Sequence, residues 1–160
     1  MNFIEKDTGL SLFVKQELLD RLYQFGMEHY PKEYGGLLIG RYSEDKSMAL
    51  IENTVLPKRY TSSKLYFERE TDGLKEILHD FYNQKPSLIY LGEWHTHPDG
   101  RVDPSPTDCF AMKKIVADSN VVIKNPLLLI LGVNKESFQY SFYVQTDQSL
   151  KQYQKRYEGD

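Results

Sequence analysis

Residues 88–108 read Leu88-Ile89-Tyr90-Leu91-Gly92-Glu93-Trp94-His95-Thr96-His97-Pro98-Asp99-Gly100-Arg101-Val102-Asp103-Pro104-Ser105-Pro106-Thr107-Asp108. The first half has the apolar character of a buried strand, and it runs straight into two histidines. At a strand end, residues i and i+2 project from one face, so His95 and His97 present two imidazoles to the same side. The glycine- and proline-containing loop after them can turn the chain back. A helix starting at Ser105 or Pro106 then carries Asp108 about one turn in. Two nitrogens and one carboxylate oxygen are thus available within 14 residues.

That donor set suits zinc, whose catalytic sites typically take three protein ligands and leave the fourth position open. Zinc brings the pKa of a bound water down to about 7, yet a base must still take the proton, so a carboxylate is needed nearby. Glu93 is the nearest in sequence and shares the histidines' face by alternation, as a base or as a group behind the ligands. Plainer readings compete at each position. His-x-His at a strand end can be simple packing, and Ser105 to Asp108 has the S-x-x-D form of a helix capping box. Cys109 reads as small core filler, and His29 and His79 have no companions at ligand spacing.

Working outward, Leu10, Leu12 and Val14 alternate as in a strand, and Val14, Leu18, Leu22, Phe25 and His29 form a helical stripe closed by Pro31. Gly36–Tyr42 and Met48–Val55 read as a hairpin. Residues 57–69 read as polar and irregular apart from Leu65-Tyr66-Phe67, a flexible segment beside a site in which Arg59 and Tyr60 can meet a substrate. Leu74, Ile77, Leu78 and Phe81 predict a second helix. The third is expected to turn Phe110, Ala111, Ile115 and Val116 inward. Leu127–Val133 is a continuous apolar strand, and Phe138, Tyr140, Phe142 and Val144 alternate in a last one. The expected organisation is one domain over residues 1–146, with 147–160 a polar C-terminal helix or tail.

The 160 residues, 40% apolar and 27% charged, are those of an ordinary soluble globular chain. No apolar run approaches the roughly 20 residues of a membrane span, and the N-terminus lacks a signal-peptide plan, so a cytoplasmic location is expected. A single cysteine excludes an internal disulfide, a four-cysteine zinc knuckle and the cysteine pair of a zinc deaminase. A net charge of −3 offers no footprint for nucleic acid.

The arrangement resembles the JAMM (JAB/MPN) metalloprotease family, whose signature is a distant glutamate, then H-[ST]-H-P, a loop, and S-x-x-D. In that family the glutamate precedes a G-x-L-x-G strand, matched here by Glu33-Tyr34-Gly35-Gly36-Leu37-Leu38-Ile39-Gly40. The resemblance implies an α/β JAB/MPN-like fold, a curved mixed sheet flanked by helices. It also implies one zinc ion on His95, His97 and Asp108, Glu33 as general base, and Ser105 as stabiliser of the tetrahedral oxyanion. The expected activity is hydrolysis of an amide or isopeptide bond. The substrate would be a protein conjugate carrying a ubiquitin-like or nucleotide-cyclase modifier, and the setting bacterial antiphage defence of the CBASS type. Ubiquitin-transfer-like enzymes and a nucleotide cyclase encoded nearby are the expected partners. Trimming a ubiquitin-like or sulfur-carrier precursor is the alternative reaction, and a non-catalytic scaffold of the same fold the alternative role. The short span from Asp118 to Pro126 implies that a second insertion found in some deubiquitinases is reduced.

Overall fold

A computed structural model describes residues 1–157. The chain opens with β1 (Asn2–Ile4) and β2 (Ser11–Val14), which pair antiparallel, then forms α1 (Gln16–His29). The hairpin of β3 (Gly35–Tyr42) and β4 (Met48–Val55) comes next as expected, with β2 docking parallel on β4. Residues 57–69 depart from the irregular segment expected. They hold a second hairpin, β5 (Tyr60–Ser63) and β6 (Tyr66–Arg69), which forms its own two-stranded sheet. Its alternation is hidden because both faces are largely polar and its ladder needs only four rungs. Then come α2 (Leu74–Tyr82), β7 (Ile89–Pro98), α3 (Pro106–Ala117), β8 (Leu127–Val133) and β9 (Phe138–Gln145).

β9 is not the last strand. Where a surface helix or frayed tail was expected after residue 147, β10 (Leu150–Gln152) pairs with β9 and β11 (Gln154–Arg156) pairs with β1. Residues 158–160 of that expected tail lie outside the described residues. The nine strands of the main sheet run β10-β9-β8-β7-β3-β4-β2-β1-β11. Only Tyr153 separates the two edge strands, so the sheet curls until its edges meet through one continuous segment. Tyr153 itself is 5% exposed and its N–H reaches Phe142 O at 2.9 Å. Polar neighbours conceal this segment in the sequence, since only its tyrosine is buried.

Inside the curl, Leu12, Val14, Leu38, Leu91, Trp94, Leu129 and Phe142 pack with Leu18, Leu19 and Leu22 of α1. On the opposite face, α2 covers Leu37, Ile39 and Leu88. Met112 of α3 packs there with Leu128 and Ile130. The inward face expected for α3 holds in part: Ile115 packs there and Val116 is half-buried, but Met112 is the helix's buried residue, while Ala111 is exposed and Phe110 is 62% exposed.

One irregularity sets the site. Between β3 and β7, Leu38 pairs with Gly92 and Ile39 with Tyr90, leaving Leu91 as an extra residue. This bulge changes the strand's phase. The extra residue, Leu91, points into the core; beyond it Trp94 and Thr96 do, and Glu93, His95 and His97 turn to the other face. An unbroken alternation from Leu91 would have sent both histidines into the core. Gly35 pairs with His95 across β3 and β7, and a Cβ there would collide with Trp94 O and lie 2.9 Å from His95 Cβ. Gly35→Ala is therefore expected to lose about 3 kcal/mol of stability, read as a lower urea midpoint with unchanged slope. An unaltered midpoint would show that the two strands can separate freely here.

Candidate metal centre

His95 and His97 leave β7 on the outward face with their Nε2 atoms 3.0 Å apart. Asp108, in the first turn of α3, brings Oδ1 to 3.2 Å from His95 Nε2 and its other oxygen, Oδ2, to 3.4 Å from His97 Nε2. The three form a ligand-capable group, and each side chain is 13–15% exposed. An ion bound tetrahedrally at about 2.0–2.1 Å separates its ligand atoms by about 3.3 Å. One ligand atom from each residue lies within 4.8 Å of the other two, and the two imidazole nitrogens are 3.0 Å apart, so the residues present could hold such an ion.

Local features aim each ligand. After Pro98 the chain turns sharply: Asp99 has φ 55°, and Gly100 N–H donates to His97 O. The turn brings Arg101 O to 2.7 Å from His97 Nδ1. A proton on Nδ1 makes that bond and leaves Nε2 free to bind a cation. Asp108 and Ser105 form a reciprocal cap at the start of α3, with Ser105 N–H donating to Asp108 Oδ2 and Asp108 N–H to Ser105 Oγ. Capping and ligation are therefore not alternatives, because one carboxylate faces both the helix N-terminus and the histidines.

Glu33 stands just before β3, half-buried in a cleft of about 900 Å³ that also contains His95, His97, Ser105 and Asp108. Its backbone is held from two sides. Glu33 N–H donates to Ser63 O of the β5–β6 hairpin. The next residue is clamped to β7, with Tyr34 N–H on Thr96 Oγ1 at 2.9 Å and Thr96 N–H on Tyr34 O at 2.8 Å. Thr96, between the two histidines, is fully buried, and its methyl abuts α1 where Gly26 leaves room. Alternation alone predicts that Thr96 faces away from the histidines; its bond to the residue after Glu33 has no local signal.

The charges sort the acidic groups. Burial pushes the Glu33 carboxyl above its ordinary value, with His95 and His97 pulling it down and Asp108 pushing it up. Burial acts on Asp108 in the same direction, but hydrogen bonds from His95, His97 and Ser105 N–H hold it well below the usual carboxylate range. Burial tends to lower His97, yet Asp108, the Arg101 carbonyl and Glu33 together raise it. Glu93 shares the histidines' face and the cleft wall, but Arg69 grips it with both guanidinium arms, at 2.7 and 2.5 Å. Cys109 is half-buried beside Asp108. His29 stacks on Tyr34 with ring centroids 3.6 Å apart, and His79 is exposed on α2. Tyr60 packs edge-on against Tyr34, and Arg59 lies near Glu70 and Asp72, so neither lines the cleft.

Fold and site together define an α/β protein whose sheet and third helix bring into a cleft a His-His-Asp group that could hold a metal ion. Residues 15–143 match the prokaryotic homologs of the JAB domain, and the chain belongs to that family. A protein of Enterobacter hormaechei subsp. hoffmannii named CD-NTase/cGAS isopeptidase is 43% identical over 133 residues, 82% of this chain and 73% of the relative. One of the same name from Escherichia coli is 26% identical over 125 residues, 77% of this chain and 76% of the relative. In fold, the solution structure of protein DSY2949 from Desulfitobacterium hafniense is similar at a TM-score of 0.61 and 14% identity, covering 88% of each chain. Among the described residues no helix is long and apolar enough to cross a membrane.

Thr96→Val keeps the side chain's shape but strands the buried Tyr34 N–H. We expect a loss of about 1–3 kcal/mol in urea denaturation, largely restored by Thr96→Ser. Equal stability of the valine variant would show that the clamp contributes nothing to holding Tyr34.

Proposed function

We propose that the protein is a zinc-dependent isopeptidase that releases a CD-NTase- or cGAS-like nucleotidyltransferase from lysine side chains of other proteins, in antiphage defence. The observation that carries this reading is the spacing of His95, His97 and Asp108 together with Glu33, a half-buried carboxylate in the same cleft. The names of the relatives supply the modifier.

His95, His97 and Asp108 would hold a zinc ion, which when bound would supply Lewis-acid polarisation of the scissile carbonyl and a more acidic water near neutral pH. Glu33 accepts the proton of the attacking water at a carboxylate oxygen. Its raised affinity for that proton suits it to pass the proton on to the lysine nitrogen as the C–N bond breaks. Ser105 Oγ already accepts the Asp108 N–H, so its own hydrogen is available to the carbonyl oxygen as negative charge develops. The products are a free carboxylate on the modifier and a lysine amine, with no covalent intermediate on the protein.

The cleft suits a chain rather than a compact small molecule. Leu65, Tyr66 and Phe67 of the hairpin stand on one side, Ala111, Met112 and Ile115 of α3 on the other. An extended modifier tail between these walls excludes water from the bond being cut.

The test uses host cells carrying the protein's whole gene neighbourhood, including a nucleotide cyclase and any ubiquitin-transfer-like enzymes. Lysine-linked conjugates of the cyclase should accumulate with Glu33→Ala and disappear with the unsubstituted protein. Identical conjugates in both would overturn the isopeptidase reading, and a trimmed ubiquitin-like precursor would then replace it. In purified protein, His97→Ala and Asp108→Ala should lose zinc by elemental analysis. Glu33→Ala should retain it and lose turnover by about 10²- to 10⁴-fold, the usual range for removing a general base.

A further inference from the structure

The group that decides which carboxylate serves the reaction lies outside the five signature residues. Glu93 sits two residues before His95 on the same face of β7, and both its oxygens are taken by Arg69, the last residue of β6. Tyr90 Oη stands 3.4 Å from the same carboxylate. Both charged side chains are about four-fifths buried, at 21% and 20% exposed, and Arg69 Nε is buried without a partner. A desolvated guanidinium bound in this bidentate way is strongly committed to its one carboxylate.

Arg69 also forms the outermost rung of the hairpin, opposite Tyr60. At the other end of the same ladder is Ser63, whose carbonyl accepts the Glu33 N–H at 2.8 Å. Among the described residues the hairpin joins no other sheet, so besides the Glu33–Ser63 backbone bond it is side-chain contacts that seat it. Its other attachments include the Tyr60 ring against Tyr34 and His29, Phe67 against Tyr34 and the main core, and the exposed Lys64–Asp99 pair at 3.5 Å. Exposed pairs of that kind add little.

We infer that Arg69 is a positioning residue: by binding Glu93 it seats the β5–β6 hairpin on β7, and through Ser63 the hairpin holds Glu33 facing the histidines. The same bond occupies Glu93, leaving Glu33 as the carboxylate free to move a proton. This inference rests on Glu33 being the base.

The test uses full-length, zinc-loaded protein with the conjugate trapped by Glu33→Ala as substrate. The variants are Glu93→Gln, Arg69→Lys and the swapped pair Arg69→Glu with Glu93→Arg. In the two single variants, zinc content should stay unchanged and amides of residues 33 and 60–69 should exchange with deuterium at least about tenfold faster. Turnover should fall by about tenfold or more in kcat with a smaller change in KM, because aiming the base matters in the transition state. The swapped pair should recover part of both effects, separating loss of the ion pair from a general failure to fold. Unchanged exchange in Glu93→Gln would overturn the anchoring. Faster exchange with unchanged kcat would overturn the positioning of Glu33, and a rise in KM alone would reduce Arg69 to a cleft wall. Full turnover by Glu33→Gln would instead refute the base assignment on which the inference rests, whatever the hairpin does.

Discussion

Everything at the site depends on the phase of one strand. β7 crosses the middle of the sheet, and the extra residue at Leu91 rotates the rest of the strand, so that Trp94 and Thr96 enter the core and Glu93, His95 and His97 leave it. The inward residues are as important as the outward ones. Trp94 Nε1–H donates to Thr54 Oγ1, and Thr96 receives the N–H of Tyr34, so the core side of the strand is locked by buried hydrogen bonds while the other side carries the imidazoles. Slipping the register by one residue would break these bonds and bury two imidazoles, and both losses oppose it.

Around the same strand, carboxylates that look alike in sequence meet different surroundings. Asp108 is stabilised as an anion by a helix N-terminus and two imidazoles, which suits a ligand. Glu93 is neutralised by a guanidinium. Glu33 is partly desolvated, and that burial outweighs the pull of His95 and His97, so its proton affinity is raised, which suits a proton carrier. Environment rather than residue type distinguishes the three, and each environment comes from a different element: α3, β6 and the approach to β3.

Stability and function meet at the glycines. Gly35 lets β3 approach His95 closely, and Gly26 lets α1 approach Thr96; in each case a missing side chain makes room for a residue that positions the site. The curl of the sheet serves the same end. Closure through the segment around Tyr153 encloses the core under α1 and leaves the opposite face of β7 and β8 to α2, α3 and the cleft.

Read alone, the sequence determined the features carried by neighbouring residues: the amphipathic stripes of α1 and α2, the β3–β4 hairpin, the run of β8, and the convergence of His95, His97 and Asp108. Those arise from period, turn chemistry and a short loop, all local. Glu33 was legible only through the family pattern, because nothing near it in the chain reveals a partner. Tertiary structure alone decided the bulge at Leu91, the second hairpin, the Arg69–Glu93 pair and the closing strand around Tyr153. It also turned Phe110 outward and Met112 inward. Apart from the second hairpin, whose short polar strands 60–63 and 66–69 pair locally with little alternation to show it, these features are set by contacts between segments distant in the chain, where polar or ambiguous residues take their place from what they meet across space. No local periodicity records such meetings.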